Sequence, residues 1–333
     1  MIDTVKLMLT APEIRNKDLF VYKTDEKTGY RFGYLKPIND GIYRPSLLYF
    51  EPDFFSYLYV RFSIPKFLFG NNLQEVKESQ FEDVVNKLVT ELNKLGITVS
   101  ADAIRYADIR GVDYSKNFIL SPNLTTDEVL DVLKLSKYSR MKLFTSKYPY
   151  IKFHSKSLSI LFYDKLKEMT QHGGIIPNFS KINSSMKNRI FRTEIQFRNT
   201  YGVKERLAKI IRKGKHSIRF KEIFNENMMK IVFNHCLRKL NENMPDIILE
   251  GNEEEELKEM YGNKVNKIAK EIAILKCQKD CGSYKEGIQK AIKYYGENFV
   301  ENHKCVLVND TKLQFILLKL LEELKEYKPL FDL

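Results

Sequence analysis

Ser157-Leu-Ser-Ile-Leu-Phe-Tyr-Asp-Lys-Leu-Lys-Glu168 is the stretch that says most about how this chain folds. Its first half alternates in the way a β-strand does, and its second half has the spacing of a helix. Tyr163 stands where the strand ends, on the face opposite Ile160 and Phe162. The pattern therefore predicts a strand that continues into a helix and carries Tyr163 away from the apolar core.

A second predicted strand carries its polar side chains on a single face. In Phe191-Arg-Thr-Glu-Ile-Gln-Phe-Arg198 the alternation places Glu194 and Gln196 together. Arg192 and Arg198 share their face. Oxygen ligands two residues apart can reach one ion, and such ligands suit Mg²⁺ or Mn²⁺. We therefore predict Glu194 and Gln196 as metal ligands, the alternative being an ordinary solvated sheet face with salt bridges.

The segment 104–117 is a predicted strand that offers a third ligand. Its alternation puts Asp108 and Arg110 on one face. Asp113 has the opposite parity and points to the core unless a bulge near Gly111 re-aims it, which glycine permits. Either carboxylate completes the oxygen cluster, and Asp108 is the ligand that we expect.

The chain as a whole divides into a strand-rich part and a helical part. Strands are predicted at 2–9, 19–22, 30–35, 47–50, 57–64, 97–118, 151–153, 158–163 and 189–198. Ser79-Gln-Phe-Glu82 and Thr125-Thr-Asp-Glu128 are typical capping boxes ahead of helices. Past Gly202, helices are predicted at 204–213, 220–241, 253–279, 283–295 and 312–325.

This order of elements predicts an α+β fold for residues 1–203. We expect a mostly antiparallel central sheet with helices packed on one face. Residues 204–333 are predicted to form an α-helical, basic domain that binds DNA. The boundary falls where strand patterns give way to helical ones, near 200–215.

The charge of the chain indicates a polyanionic partner. The 333 residues carry a net charge of +12, and the pI is near 9.2. Residues 134–156 contain seven Lys or Arg and no acid, and residues 204–221 contain eight against one acid, although such blocks are often only solvated faces. The side chains that we predict to contact DNA are Lys167, Arg192, Arg198, Arg110, Lys204, Arg212, Lys213 and Lys215.

Other features exclude some classes of protein. The apolar runs are too short to cross a membrane, so no membrane partner is expected. Four cysteines lie in the C-terminal third with the spacing of neither a redox pair nor a standard zinc site. With no signal peptide apparent, these features predict a cytoplasmic protein. The oligomeric state is left open.

Tyr163 is the candidate nucleophile because of its neighbours. A phenol becomes nucleophilic where cations or a base favour its phenolate, and Lys165 and Lys167 follow it closely. We predict that Lys165 stabilises developing charge and that Lys167 or Arg192 grips a flanking phosphate. The alternative is an ordinary aromatic residue at a strand end, with Asp164 serving only to start the next helix.

Four segments resemble rolling-circle replication initiators related to the gene II and gene X replication proteins of filamentous phages. They are Met1-Ile-Asp-Thr-Val-Lys-Leu7, Phe62-Ser-Ile-Pro-Lys-Phe-Leu-Phe-Gly-Asn-Asn72, Val112-Asp-Tyr-Ser-Lys-Asn117 and Phe162-Tyr-Asp-Lys165. The strand Phe191-Arg-Thr-Glu-Ile-Gln196 is similar to the arginine–x–glutamate strand of plasmid initiators of the replication-initiation-factor type. The likeness spans residues 1–215.

The resemblance implies a replication-initiator palm that nicks and rejoins DNA with Mg²⁺ or Mn²⁺. Such an enzyme cuts a single-stranded origin through a phosphotyrosyl bond and leaves a 3′-hydroxyl for replication. Its partners are DNA and the helicase and polymerase of a bacterial host. Carried over, Tyr163 matches the nucleophile and Glu194 an acidic metal ligand, with Asp108 as its partner. Many relatives use a His-hydrophobe-His triplet, which this sequence lacks; Glu194-Ile195-Gln196 is the nearest equivalent.

Three other functions stay open at this point. Strands and helices in this order also form RNA-recognition modules that bind nucleic acid without cutting it, although the aromatic signature of that module is not found. A conjugative relaxase would share the tyrosine chemistry, although the scarcity of histidine disfavours it. A purely structural phage or plasmid protein would make the polar strand faces incidental. For a nicking enzyme that acts on single-stranded DNA, exposed aromatics such as Tyr106 and Tyr114 are expected to stack bases.

Overall fold

The computed structural model places a large antiparallel sheet at the centre of the fold. It describes residues 2–242 except for 39–40, 52–54, 121–124, 135–137, 139, 146–149, 172–188 and 212–216. The α+β class and the antiparallel sheet are confirmed. The helices predicted at 253–279, 283–295 and 312–325 lie outside the described residues.

Twelve strands occur in this part of the chain. In chain order they are β1 (Ile2–Thr10), β2 (Glu13–Ile14), β3 (Phe20–Thr24), β4 (Arg31–Leu35), β5 (Ser46–Glu51), β6 (Tyr57–Ser63), β7 (Ile97–Thr98), β8 (Asp108–Ile119), β9 (Lys142–Thr145), β10 (Tyr150–His154), β11 (Leu158–Asp164) and β12 (Ile190–Phe197). Ten form one sheet in the order β3-β4-β5-β6-β1-β8-β12-β11-β10-β9, and β2 pairs with β7.

The two faces of the main sheet differ in character. On β1, Val5 and Leu7 are completely buried and pair across the ladders with the buried Val112 and Val60. The intervening side chains, such as Lys6, point to the other face, as the strand period requires. We call this second face the open face, because among the described residues it carries partly exposed polar and aromatic side chains and no covering layer of helices.

Eight α-helices accompany the strands in the described residues. They are α1 (Ile64–Phe69), α2 (Phe81–Lys94), α3 (Ala101–Arg105), α4 (Thr126–Leu133), α5 (Lys165–Gln171), α6 (Ala208–Ile210), α7 (Phe220–Ile223) and α8 (Glu226–Glu242). A π-helical turn, Gly202–Leu207, precedes α6. The helix predicted after residue 79 is confirmed as α2, which buries its apolar stripe and is followed by Gly96 at φ +70°.

Of the two predicted capping boxes, one is confirmed and one is wrong. The backbone N–H of Thr125 donates to Glu128 at 2.8 Å, and the N–H of Glu128 donates back to the Thr125 hydroxyl at 3.3 Å. Ser79 does not cap α2, because a 3₁₀ turn (Glu78–Gln80) precedes that helix. In this turn the side chain of Gln80 accepts from the N–H of Lys77 instead.

One short helix replaces a segment that the alternation predicted as strand. Ser100 accepts from the N–H of Ala103 and starts α3, so the predicted strand 97–118 is interrupted and β8 begins only at Asp108. Local capping by a serine overrides the period-two pattern there. The predicted end of β6 at Pro65 is confirmed, because the strand ends at Ser63 and Pro65 lies in the first turn of α1, where its missing N–H costs no hydrogen bond.

The helices that follow β12 pack against the sheet. On α8, Met229, Phe233 and Leu237 are fully buried and belong to the same hydrophobic cluster as Val5 and Leu7 of β1. This portion of the predicted 204–333 domain therefore completes the core of the sheet rather than standing apart from it. Within the described residues, no helix has both the length and the apolar character needed to cross a bilayer.

Candidate active site on the open face

Pairing of three strands gathers the predicted site residues on the open face. Arg192 of β12 lies opposite Tyr163 of β11, and Gln196 lies opposite Asp113 of β8. Glu194 lies between them on the same face of β12. A groove of about 680 Å³ opens here, and its walls include Tyr163, Glu194 and Asp113.

Asp113 reaches this groove because β8 contains a bulge. Two consecutive residues of β1 pair with Gly111 and Ile109, so Arg110 is left as the extra residue. The extra residue reverses the parity of the strand beyond it. Asp113 therefore shares a face with Gln196, as the hypothesis of a bulge near Gly111 required.

Asp108, the preferred third ligand on sequence grounds, is placed elsewhere. It begins β8, five residues before Asp113, which corresponds to roughly 15 Å along an extended strand. Its carboxylate accepts a hydrogen bond from Arg219 and lies 3.7 Å from a guanidinium nitrogen of Arg110. The structure thus brings Asp113, and not Asp108, to Glu194.

Tyr163 and Glu194 are in direct contact. The Tyr163 hydroxyl donates a hydrogen bond to Oε1 of Glu194, and the ring is buried, with 9% of its surface exposed. Burial, and then the negative charge of Glu194, raise the pKa of Tyr163 well above its ordinary value. The prediction that cations favour the phenolate is therefore wrong for the resting state. Glu194 is instead placed to accept the phenol's proton.

The two lysines that follow Tyr163 are engaged in ion pairs. Lys165 is buried beneath the Tyr163 ring, and its Nζ lies 2.6 Å from Glu168. Burial lowers the pKa of Lys165 to about 8. Lys167 pairs with Asp127 at 2.7 Å. Carboxylates hold both ammonium groups. We predicted that Lys165 and Lys167 contact phosphate, and this arrangement does not present either of them to one.

Asp164 serves the helix rather than the reaction. Its carboxylate accepts from the backbone N–H of Lys167 at 2.9 Å and from the hydroxyl of Thr126. This is the geometry of a helix N-cap, which satisfies a free N–H group in the first turn of α5. The alternative interpretation of Asp164 as a helix start is the one that the structure supports.

Arg192 is the structural centre of the site. Only 1% of its surface is exposed, and its guanidinium makes five hydrogen bonds. The acceptors are Glu194 Oε1 at 2.9 Å, Asp3 Oδ1 at 2.6 Å, Ser115 Oγ at 2.9 Å, Asn117 Oδ1 at 3.2 Å and the Asn72 carbonyl at 2.8 Å. A buried side chain with every donor engaged cannot grip DNA, so the predicted phosphate contact is wrong. Arg192 holds Glu194 in place.

Asp113 lines the groove and forms no salt bridge with any described residue. Burial, and then the charges of Glu194 and Asp3, raise the pKa of Asp113 well above its ordinary value. Gln196 turns its amide nitrogen to Glu194 Oε2 at 3.2 Å and its carbonyl to Arg198 at 2.8 Å. The carbonyl oxygen of Gln196 is therefore directed away from the two carboxylates, in contrast to its predicted role as a ligand.

The donor set of the groove fits a hard divalent cation. Among the described residues no three Asp, Glu, His or Cys side chains form a group that would enclose a metal ion. Mg²⁺ nevertheless binds through one or two carboxylates, with water and substrate phosphate completing its shell. Asp113 and Glu194 supply two carboxylates in one groove, and their mutual repulsion is what a cation relieves. These two residues would hold Mg²⁺ or Mn²⁺.

Divalent cations are expected to stabilise the protein through Asp113. With Mn²⁺ at about ten times its dissociation constant, linkage adds roughly 1.4 kcal/mol and raises the melting temperature by about 2 °C. Asp113→Asn and Glu194→Gln should each abolish the rise, because one carboxylate is left. Asp108→Asn, the matched control, should keep it. Calorimetric melting with and without Mn²⁺ measures the effect, and loss of the rise in Asp108→Asn alone would contradict it.

Cations without acidic partners border the groove on the open face. Lys6 lies opposite Arg61 across the β1–β6 ladder, and both line a second groove together with Arg198. Burial, and then the charge of Arg61, lower the pKa of Lys6; burial and Arg198 do the same to Lys152. We call Lys6, Arg61, Arg198 and Lys152 the basic row. Within the described part of the chain none of the four forms a salt bridge, so a phosphate would relieve their repulsion.

The other predicted DNA contacts are scattered. Arg110 lies against Met8, with its Nε buried and unpaired, and Lys204 is half-buried in the π-helical turn. Arg198 belongs to the basic row, and its contact with DNA stays a prediction. Three of the predicted contacts lie outside the described residues: Arg212, Lys213 and Lys215.

Neither aromatic residue predicted to stack bases lies on the open face. Tyr114 is fully buried on the core face, and burial raises its pKa. Tyr106 is 53% exposed but follows α3, off the sheet. The bulge at Arg110 sends Tyr114 inward for the same reason that it sends Asp113 outward.

The residues of the site that went unrecognised in the sequence include Asp3, Lys6 and Arg61. Their strands were predicted, and alternation alone assigns Lys6 and Arg61 to a polar face. What brings them to the groove is the placement of β1 between β6 and β8, a non-local pairing. Asp3 lies at a register shift in β1, which no local pattern indicates.

Comparison with known proteins finds no family model and no curated protein that matches this chain. The function is therefore argued from the groove itself.

Proposed function

We propose that this protein is a metal-dependent DNA nicking-joining endonuclease, which initiates rolling-circle replication of a phage or plasmid in a bacterial cytoplasm. The observation that carries the proposal is the hydrogen bond from the Tyr163 hydroxyl to Glu194 in a groove walled by Asp113. A nucleophile, a proton acceptor, carboxylate ligands for Mg²⁺ or Mn²⁺ and the basic row meet on one sheet face. The proposed partners are DNA and the replication machinery of the host, a helicase and a polymerase.

In the proposed reaction Tyr163 attacks the scissile phosphate in line. The bond between the phenolic oxygen and phosphorus forms as the bond from phosphorus to the 3′-oxygen breaks. The phenol's proton passes to Glu194, and the departing 3′-oxygen takes a proton from water. Because the phosphotyrosyl bond conserves the energy of the cleaved bond, a later 3′-hydroxyl can reverse the step and rejoin the strand without ATP.

The surrounding residues prepare this transfer. Arg192 holds Oε1 of Glu194 at 2.9 Å, which keeps that oxygen beside the Tyr163 hydroxyl. A divalent ion held by Asp113 and Glu194 would supply positive charge at the scissile phosphate and so favour the attack. The basic row would bind the flanking phosphates, with an affinity that falls as salt rises.

A second candidate is a nucleic-acid-binding protein without catalytic activity. The burial of Tyr163 and its raised pKa favour this alternative, since both make the phenol a poor nucleophile at rest. It needs only the basic row and the open face. Formation of a covalent adduct separates the two functions, because binding alone leaves no bond between protein and DNA.

We expect the full-length protein to form a covalent adduct with single-stranded DNA. Because the origin sequence is unknown, the substrate is a random single-stranded library labelled at its 3′ end, which stays on the protein after cleavage. With Mn²⁺ the label should migrate with the protein in SDS and map to the peptide that contains Tyr163. With EDTA, or with blunt duplex, it should not. If neither Mg²⁺ nor Mn²⁺ gives an adduct, the nucleic-acid-binding protein without catalytic activity is the function that stands.

A further inference from the structure

The half of the open face formed by β3–β6 is aromatic and plays no part in the proposed cleavage. Register places its side chains in two rows across the strands, since Tyr34 pairs with Leu48 and Leu48 with Tyr59. We call this surface the aromatic wing. Its members are Phe32, Tyr34, Leu48, Phe50, Tyr57 and Tyr59.

The strands β3–β6 carry apolar side chains on both faces of the sheet, but in the described structure only the core face is covered. Leu47 and Leu58, on the core face, are almost completely buried. On the open face Tyr34 is 47% exposed, and the other members of the wing are half-buried. The rings of Phe32 and Tyr34 stand edge to face at 5.4 Å, which leaves flat ring surfaces near the solvent. Contiguous apolar surface of this kind marks a binding site.

The charges on and beside the wing indicate what binds there. The remaining open-face positions of β3–β6 are Val21, Lys23, Ser46, Arg61 and Ser63, so these strands present no carboxylate on that face. The basic row begins where the wing ends: Arg61 follows Tyr59 by two residues, and Lys6 Nζ lies 4.9 Å from the Tyr59 ring centroid. Aromatic rings next to unpaired cations are the features by which proteins hold single-stranded nucleic acid.

We propose that the aromatic wing stacks unpaired bases of a DNA strand whose phosphates lie along the basic row. The inference rests on the proposed function for the identity of the strand, and it adds the surface that receives the strand beside the groove. A second copy of this chain would cover the rings, but its own open face carries the same row of cations and would leave the adjoining cations unpaired. A single strand of DNA satisfies both the rings and the cations. Stacking tolerates any base sequence, because every base has a π-face.

Binding of a 20-nucleotide oligothymidylate and of an abasic strand of equal length distinguishes stacking from phosphate contact. We expect Tyr34→Leu and Tyr59→Leu each to weaken binding of the oligothymidylate about tenfold, since one stacked base contributes about that factor. Binding of the abasic strand should not change. The salt dependence should also keep its slope in both variants, whereas Lys6→Ala should reduce it by about 0.7.

Tyr106→Leu, exposed but off the sheet, is the matched control. Fluorescence anisotropy of the full-length protein in EDTA measures all of these without cleavage.

Several outcomes would overturn the inference. Unchanged oligothymidylate affinity in both tyrosine variants would show that bases do not contact the wing. A shift from dimer to monomer in sedimentation, with unchanged affinity, would make the wing an interface between copies. Photo-crosslinking of 5-iodouracil DNA to the unmodified protein tests the same point without any variant, and crosslinks should map to β4 and β6. If the protein forms no covalent adduct but passes these binding tests, the proposed cleavage fails while the stacking surface stands.

Discussion

Replacing Tyr163 by phenylalanine is expected to reduce covalent adduct formation by at least about 10³-fold, because the oxygen that forms the bond to phosphorus is removed. The fold should tolerate the change. Phenylalanine keeps the ring that packs over Lys165, and only the hydrogen bond to Glu194 is lost, which costs about 1 kcal/mol. Labelled single-stranded DNA with Mn²⁺, analysed on denaturing gels, provides the measurement.

Tyr150 supplies the matched control for this experiment. It lies directly opposite Tyr163 across the β10–β11 ladder and lines the same groove. Tyr150→Phe also removes one hydroxyl and keeps a ring, but its oxygen has no contact with Glu194 among the hydrogen bonds of the described residues. Adduct formation should therefore persist in Tyr150→Phe. Wild-type levels of adduct in Tyr163→Phe, or their loss only in Tyr150→Phe, would contradict the assignment of the nucleophile.

Local patterns were sufficient to predict the centre of the site. Alternation assigned Tyr163 and Glu194 to polar faces of their strands, and the structure places those strands side by side with both residues on one face. The two-residue alternation of side chains holds in β11 and β12 because each strand is regular through its site residues. The antiparallel sheet and α2 were predictable for the same reason, since their signals lie within short windows of sequence.

What the sequence did not reveal depends on pairing and burial. The choice between Asp108 and Asp113 turns on one extra residue in β8, which shows only against the partner strand. The role of Arg192 in the structure also differs from the predicted phosphate contact. An arginine on a polar strand face is ordinarily solvated, yet here the segment that carries Asn72 and the strand that carries Asp3 supply acceptors for it. Contacts between residues so far apart in the chain are not encoded in any local period.

The second prediction with a large expected effect concerns the buried ion pairs of Arg192. Burial alone would raise the pKa of Asp3, but the charges of Arg192 and Lys165, together with the hydrogen bond from Thr4, outweigh it and keep the pKa below its ordinary value. The guanidinium lies against both Asp3 and Glu194, at 2.6 and 2.9 Å. Removing one partner of such a cluster leaves uncompensated charge on side chains that are only 11% exposed, which is far more costly than the net gain from the intact pair.

Arg192→Met is therefore expected to lower the free energy of unfolding by about 4 kcal/mol at pH 7. Urea denaturation followed by circular dichroism measures it. Arg192→Lys should recover only part of the loss, because a single ammonium cannot replace the fork that reaches five acceptors. Arg198→Met is the matched control: it stands on the same face of the sheet, is exposed and contacts only Gln196, so a change within about 0.5 kcal/mol is expected.

The pH dependence of these variants tests the cause of the loss. In the wild type the depressed pKa of Asp3 contributes stability above the unfolded value near 3.8, and this contribution is lost as pH falls through the folded pKa. In Arg192→Met the largest of the charges that oppose burial is gone, so we expect the folded pKa of Asp3 to rise above the unfolded one and protonation to become stabilising. The gap between variant and wild type should therefore narrow steadily from pH 7 to pH 4. A gap that is constant with pH would mean that lost packing, rather than unpaired carboxylates, destabilises the variant.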